Sequence, residues 1–132
     1  MSMNEKDVLF EISVLCQPAL SVRGESEDVV MIPFTGTAEG PAFNGCVIGP
    51  GVDTQVIPHG EEARLSARYM LEGTDAAGAP CRVFIQNEGS FAGGFRPRLV
   101  TDSPALGALA RQELSSDVTP IPGGVRISIR RA

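Results

Sequence analysis

Hydrophobic and polar positions alternate with a period of two along much of the chain, the spacing of strands. In residues 8–16, Phe10, Ile12, Val14 and Cys16 share one face. A polar turn at 23–28 leads to a second strand at 29–37, and two more follow at 52–57 and 61–73, joined by Pro58-His59-Gly60-Glu61. Further strands fall at 81–88, 95–101, 113–119 and 125–131, the last two connected through residues 120–124. Ser103-Pro104 predicts the only helix, running to Arg111, with Ser103 as N-cap and Pro104 at the first helical position. About eight strands in up-and-down order cannot be covered by one short helix, so the sheet edges are expected to close on one another as an antiparallel β-barrel. No repeat or linker divides residues 1–132, which form a single domain with a disordered terminus expected at 1–7.

Composition narrows the alternatives. The 132 residues include 15 Gly and 10 Pro, and after Gln17 no stretch free of both is longer than residues 61–72 or 108–119. Interior Pro costs a helix about 3 kcal/mol and Gly about 1 kcal/mol, which excludes bundles, coiled coils and βαβ repeats. Gly36, Gly40, Gly45, Gly49 and Gly51 lie among β-formers with no helix after them, so they mark bends in curved strands rather than a phosphate cradle. A net charge of −5, no Trp and a single Tyr argue against nucleic acid as a partner. Lys6 is the single lysine, which removes Schiff-base and phosphate-loop chemistry. Cys16, Cys46 and Cys81 form no CxxC and have only His59 to complete a cluster, so no metal or other cofactor is expected. They are read as three buried, reduced thiols of a cytoplasmic protein. The N-terminus has no apolar signal core and no run of 18 apolar residues occurs, so no membrane association is expected.

The hairpin around His59-Gly60 carries the candidate chemistry. A two-residue turn there sets Asp53 opposite Ser66, Gln55 opposite Arg64 and Gly51 opposite Arg68. One face then holds Val52, Thr54, Val56, Ala63, Leu65, Ala67, Tyr69 and Leu71. The other holds Asp53, Gln55, Arg64, Ser66, Arg68 and Glu72. If the loop over 74–80 has an even number of residues, Asn87 joins Arg68; an odd number brings Gln86 and Glu88 instead. Facing a barrel lumen, Arg68 would hold a carboxylate or enolate-like oxygen, Asp53 or Glu72 would move a proton, and Asn87 or Tyr69 would donate to a carbonyl. Asp53, Arg68 and Glu72 are thus the candidate catalytic residues, with Gln55, Ser66, Tyr69, Asn87 and Arg96 as ligand contacts. Facing solvent, the same residues are ordinary surface. His59 is a turn residue, Arg96 and Arg98 suit a solvated edge or an interface, and Tyr69 suits a core position.

The order of short motifs resembles a bacterial and fungal family known as domain of unknown function 3237. The family's glycine-rich strand pair, Gly-Gly-x-Asp-Trp-like turn, Asp-Gly hairpin, Ala-Arg-Tyr strand and Asn-x-Gly correspond here to TGTAEGPAFNGCVIGPGVDTQ, PHGEE, ARLSARYMLEG and FIQNEG. FRPRLVTDSP and VRISIRR match its later strands, so the resemblance covers most of the chain from about Val8. Asp53, Arg68 and Tyr69 lie within these motifs. Thr54 stands where the family has Trp, Pro50 interrupts the glycine pair, and His59 replaces the hairpin Asp. The resemblance implies a barrel similar to allene oxide cyclase, a group that includes cofactor-free cyclases and small-ligand binders using the lumen.

Together these features predict a cofactor-independent barrel that binds an apolar small molecule bearing a carbonyl or carboxylate and, if it is an enzyme, carries out isomerase, cyclase or lyase chemistry. Asp53, Arg68 and Glu72 are then expected to converge in a pocket of about 300 Å³ or more. The alternative is a non-catalytic ligand carrier, or an oligomeric structural module that pairs as a homodimer through an apolar outer face.

Overall fold

The structure is a computed structural model that describes residues 8–132. Nine strands and one helix follow in order: β1 (Val8–Cys16), β2 (Leu20–Arg23), β3 (Glu27–Glu39), β4 (Phe43–Pro58), β5 (Arg64–Asp75), β6 (Pro80–Ser90), β7 (Gly94–Thr101), α1 (Pro104–Ala110), β8 (Leu114–Ile121) and β9 (Gly124–Arg131). All pairings are antiparallel, each strand but β2 lies between two neighbours, and β1 pairs with both β9 and β3. The sheet therefore closes into an eight-stranded barrel, with β2 added beside the first half of β3. The barrel, its near up-and-down order and the single helix agree with the pattern in the sequence; β2 and the first half of β4 are additional.

Inward residues follow the pleat. One end of the lumen is packed solid by Phe10, Phe43, Leu71, Val83 and Ile129, each without exposed surface. The rings of Phe10 and Phe43 meet at 5.6 Å between centroids. The seam between β7 and β8 holds a single residue pair, Phe95 with Ser116. The chain between them forms α1, which packs on β7 and sends Leu106 into the core. Ser103 caps that helix, its Oγ accepting from the Leu106 amide at 3.1 Å. The same hydroxyl donates to Asp75 Oδ2 at 2.6 Å, while Asp75 Oδ1 accepts from the amides of Ala77 and Ala79.

These bonds hold the Asp75 carboxyl below its usual range, the Ser103 hydroxyl contributing most. A carboxylate with a depressed folded-state pKa adds stability above its unfolded pKa of about 3.9, and that stability is lost as pH falls through the folded value. Asp75→Asn is therefore expected to lower the melting temperature at pH 7 and to flatten its decline below about pH 4. Thermal melts across pH check this; a variant that melts like the wild type at pH 7 would show that the cluster contributes nothing.

The β4–β5 connection departs from the expected two-residue turn. The Glu61 amide donates to the Pro58 carbonyl at 3.1 Å and Gly60 has φ +81°, a type II pattern that needs glycine at this position. Such a turn splays the strands instead of continuing their twist. The ladder begins at Val56 opposite Arg64, and Asp53 pairs with Ala67, Thr54 with Ser66 and Gln55 with Leu65. The register is one residue away from the expected one, and a shift of one exchanges the faces of a strand. Asp53 and Gln55 therefore share the lumen side with Leu65, Ala67, Tyr69 and Leu71, whereas Arg64, Ser66, Arg68 and Glu72 lie outside with Val52, Thr54 and Val56. In β6, Asn87 pairs with Ala67 and Gln86 with Arg68, the odd-loop alternative.

A second correction concerns the thiols: Cys81 is buried, but Cys16 and Cys46 are exposed. Cys16 ends β1 at the barrel mouth, and Cys46 points outward opposite Glu72.

Candidate functional site

Above the packed end, the lumen opens into a cavity of about 150 Å³. Val14, Phe34, Leu65, Ala67, Val118 and Ile127 give it apolar walls, with Phe91 and Phe95 at its rim. Its polar side chains are those of Asp53, Gln55 and Asn87, with the Cys16 thiol beside them. Phe34 and Tyr69 pack edge to face beneath it, ring centroids 5.2 Å apart. Gly51 makes this possible, since a Cβ there would come within 2.5 Å of the Phe34 ring and 2.8 Å of Tyr69 Cβ.

Asp53 is brought to the cavity by β4, between Ile32 of β3 and Ala67 of β5. Gln55, two residues along the same face, donates from Nε2 to Asp53 Oδ2 at 3.0 Å. No cation pairs with this carboxylate among the described residues. Desolvation by the apolar walls pushes the Asp53 carboxyl above its usual range, and the Gln55 bond only partly offsets it. The Cys16 thiol is likewise raised, by burial first and then by the negative charge of Asp53. A carboxyl with a raised pKa in an apolar cavity is suited to exchange a proton with a bound molecule.

Asn87 of β6, two strands from Asp53 in the same cross-strand row, forms a buried pair with Ser116 of β8. Asn87 Nδ2 donates to Ser116 Oγ at 2.9 Å, and the hydroxyl donates to Asn87 Oδ1 at 3.1 Å. These bonds fix the amide and leave its second N–H free for a ligand oxygen.

The expected constellation of Asp53, Arg68 and Glu72 is not assembled. Arg68 and Glu72 stand on the outer surface, where Glu72 Oε2 accepts from Arg82 Nε at 2.9 Å. Ser66 and Arg96 also face outward and line an external groove. Tyr69 is 3% exposed and lies below the cavity without lining it, and burial holds its hydroxyl far above its usual pKa. His59 occupies the exposed turn and its Nε2 sits 3.0 Å from Asp28 Oδ1. Asp53, Gln55 and Asn87 are thus the sequence-predicted residues that meet, in a cavity about half the expected size. Ser116, Phe91 and Phe95 were not singled out from the sequence. Ser116 had a signal, a polar residue between Leu114 and Val118 on an apolar face; Phe91 had a weaker one, a lone aromatic in a glycine-rich turn.

Phe91 is 70% exposed yet reaches the cavity rim, its ring edge-on to Phe95 at 5.3 Å. The next amide, of Ala92, donates to Glu62 Oε1 of the β4–β5 turn at 2.8 Å, which ties the two hairpin tips across the mouth. Among the described residues, no three His, Cys, Asp or Glu side chains gather to hold a metal ion, and no helix is long and apolar enough to cross a membrane.

The model of one protein family matches residues 5–124. The chain belongs to the DUF3237 family of proteins of unknown function. Solved structures share this DUF3237 barrel. A protein of unknown function from Clostridium acetobutylicum superposes with a TM-score of 0.80 at 20% identity, covering 99% of this chain and 97% of its own. A β-barrel-like protein from Acinetobacter baumannii gives 0.77 at 18% identity, covering 95% and 93%. An enzyme from Penicillium herquei gives 0.72 at 16%, covering 94% and 92%. These likenesses show the fold. No curated protein matches the sequence.

Proposed function

We propose that this DUF3237 barrel binds a small apolar molecule bearing a carbonyl or carboxylate in its lumen and moves a proton on it without a cofactor, in isomerase, cyclase or lyase chemistry. The observation that carries this reading is Asp53, a carboxyl held in an apolar cavity with a raised pKa and a single neutral hydrogen-bond partner. Gln55 orients the carboxyl, the free Asn87 N–H receives the ligand oxygen, and the Phe91–Phe95 rim limits water. An apolar cavity of this size accommodates a benzene-sized body. That one structural relative is an enzyme is compatible with this reading. The three unpaired cysteines accord with a cytoplasmic setting.

A non-catalytic carrier is the second reading, favoured by the nearly all-apolar lining. Exposed Leu20, Val22 and Met31 on β2 and β3 also offer a surface for homodimer contact.

Benzaldehyde and benzoate serve as probes of the cavity. Each is expected to give saturable NMR shifts at the methyls of Val14, Val118 and Ile127, and Ala67→Phe, whose ring fills the space, is expected to abolish them while the fold is retained. Shifts that persist in folded Ala67→Phe, or none in the wild type, would overturn lumen binding. Proton exchange at the probe's carbonyl-adjacent carbon, read with acetophenone in D₂O and lost in Asp53→Asn, separates an enzyme from a carrier.

A further inference from the structure

The outer surface of β4–β7 carries a second concavity, an open groove of about 720 Å³. Thr54, Ser66, Glu88 and Arg96 form one row across the four strands, because outward residues of antiparallel neighbours lie side by side. Arg64 and Arg68 flank Ser66 on β5 and face the same groove. None of the three guanidiniums is in an ion pair among the described residues, even with Glu88 alongside. In a chain of net charge −5, Arg82 and Arg130 do find carboxylates, at 2.9 and 2.8 Å. Three unpaired cations gathered in one groove repel each other and favour a counter-charge there. Ser66 lines the groove, and its hydroxyl is buried with no hydrogen-bond partner among the described residues.

We propose that this groove binds the phosphate of a small phosphomonoester, independently of the lumen. Three guanidiniums offset by Glu88 leave a local charge near that needed by a phosphate dianion. Arginine forks match phosphate oxygens in pairs, and the unpartnered Ser66 hydroxyl supplies a further donor. Val56 gives the organic part of the ligand an apolar wall, and Gly89, Gly93 and Gly94 keep the opposite side low.

Isothermal titration at low ionic strength with phenyl phosphate, inorganic phosphate and phenol tests this. Phenyl phosphate is expected to bind saturably, inorganic phosphate more weakly, and phenol not at all. Arg68→Ala and Arg96→Ala are each expected to weaken phenyl phosphate by about tenfold or more. Arg111→Ala, beyond the end of α1, and Asp53→Asn in the lumen are expected to leave it unchanged. Absence of saturable binding, or equal losses in Arg111→Ala, would overturn the site. Inorganic phosphate binding as tightly as the ester would overturn the ester as its ligand. A loss in Asp53→Asn with none in Arg68→Ala would place the binding in the lumen instead and equally defeat the proposal.

Discussion

Asp53→Asn is expected to raise the stability of the barrel at pH 7 while removing proton transfer in the lumen. The Asp53 carboxyl is desolvated by Ile32, Ala67 and the other apolar walls, and Gln55 returns only one neutral hydrogen bond. Its folded-state pKa is therefore raised. A group shifted this way contributes its stability below its unfolded pKa, about 3.9, and loses it as pH rises through the folded value. Above that point the ionised carboxylate costs free energy that the asparagine amide does not, while the amide oxygen still accepts from Gln55. The expected gain is about 0.5–2 kcal/mol at pH 7, the usual size of a stabilising single substitution, and it should vanish below about pH 4. Proton exchange on a bound ketone should fall by about 10²–10⁴. Melts from pH 4 to 8 and the exchange rate test both halves. A variant less stable at pH 7 would make Asp53 a structural carboxylate and remove the main reason to place chemistry there.

Phe43→Ala should act in the opposite way, on stability and throughout the barrel. Phe43 has no exposed surface, and its ring meets Phe10 at the closed end. The packing there is tight: a Cβ on Gly45 would lie 2.8 Å from the Phe43 ring. Truncation leaves a cavity that surrounding strands, tied into continuous ladders, cannot collapse around, so about 3–5 kcal/mol should be lost. Against a total of about 5–15 kcal/mol for a domain, that is a large fraction. Urea denaturation measures it. A loss below about 1 kcal/mol would show that the closed end relaxes easily and does not anchor the lumen.

The fold was legible because its signals are local. β1 and the Ser103–Pro104 helix start match their expected limits, and β6, β7 and β9 do so within a residue or two. The glycines of residues 43–51 were read as marks of bends in curved strands without strand limits, and these residues form the first half of β4 with a bulge between Ile48 and Val52, because glycine density records curvature without fixing where a strand begins. The four residues of β2 were not read as a strand, its last residue, Arg23, being placed at the start of a polar turn. The candidate site was legible in residue type and not in grouping. Asp53 and Asn87 reach the lumen, whereas Arg68 and Glu72 do not. Polarity could not decide between the faces, since Val52 and Val56 outside are as apolar as Leu65 and Ala67 inside. Only the turn decided it, through a hydrogen bond from Glu61 to Pro58 followed by residues that stay outside the ladder.

That turn also restricts how the lineage can vary in length. Deleting one residue between Pro58 and Arg64 would return the strands to the other parity, sending Arg64, Ser66 and Arg68 into the lumen opposite Asp53 and moving Leu65 and Ala67 to the coat. Removing or inserting two would leave every side chain on its present side. Insertions and deletions at this hairpin should therefore be inherited in even steps, with an odd step surviving only where the two faces exchange their chemistry together.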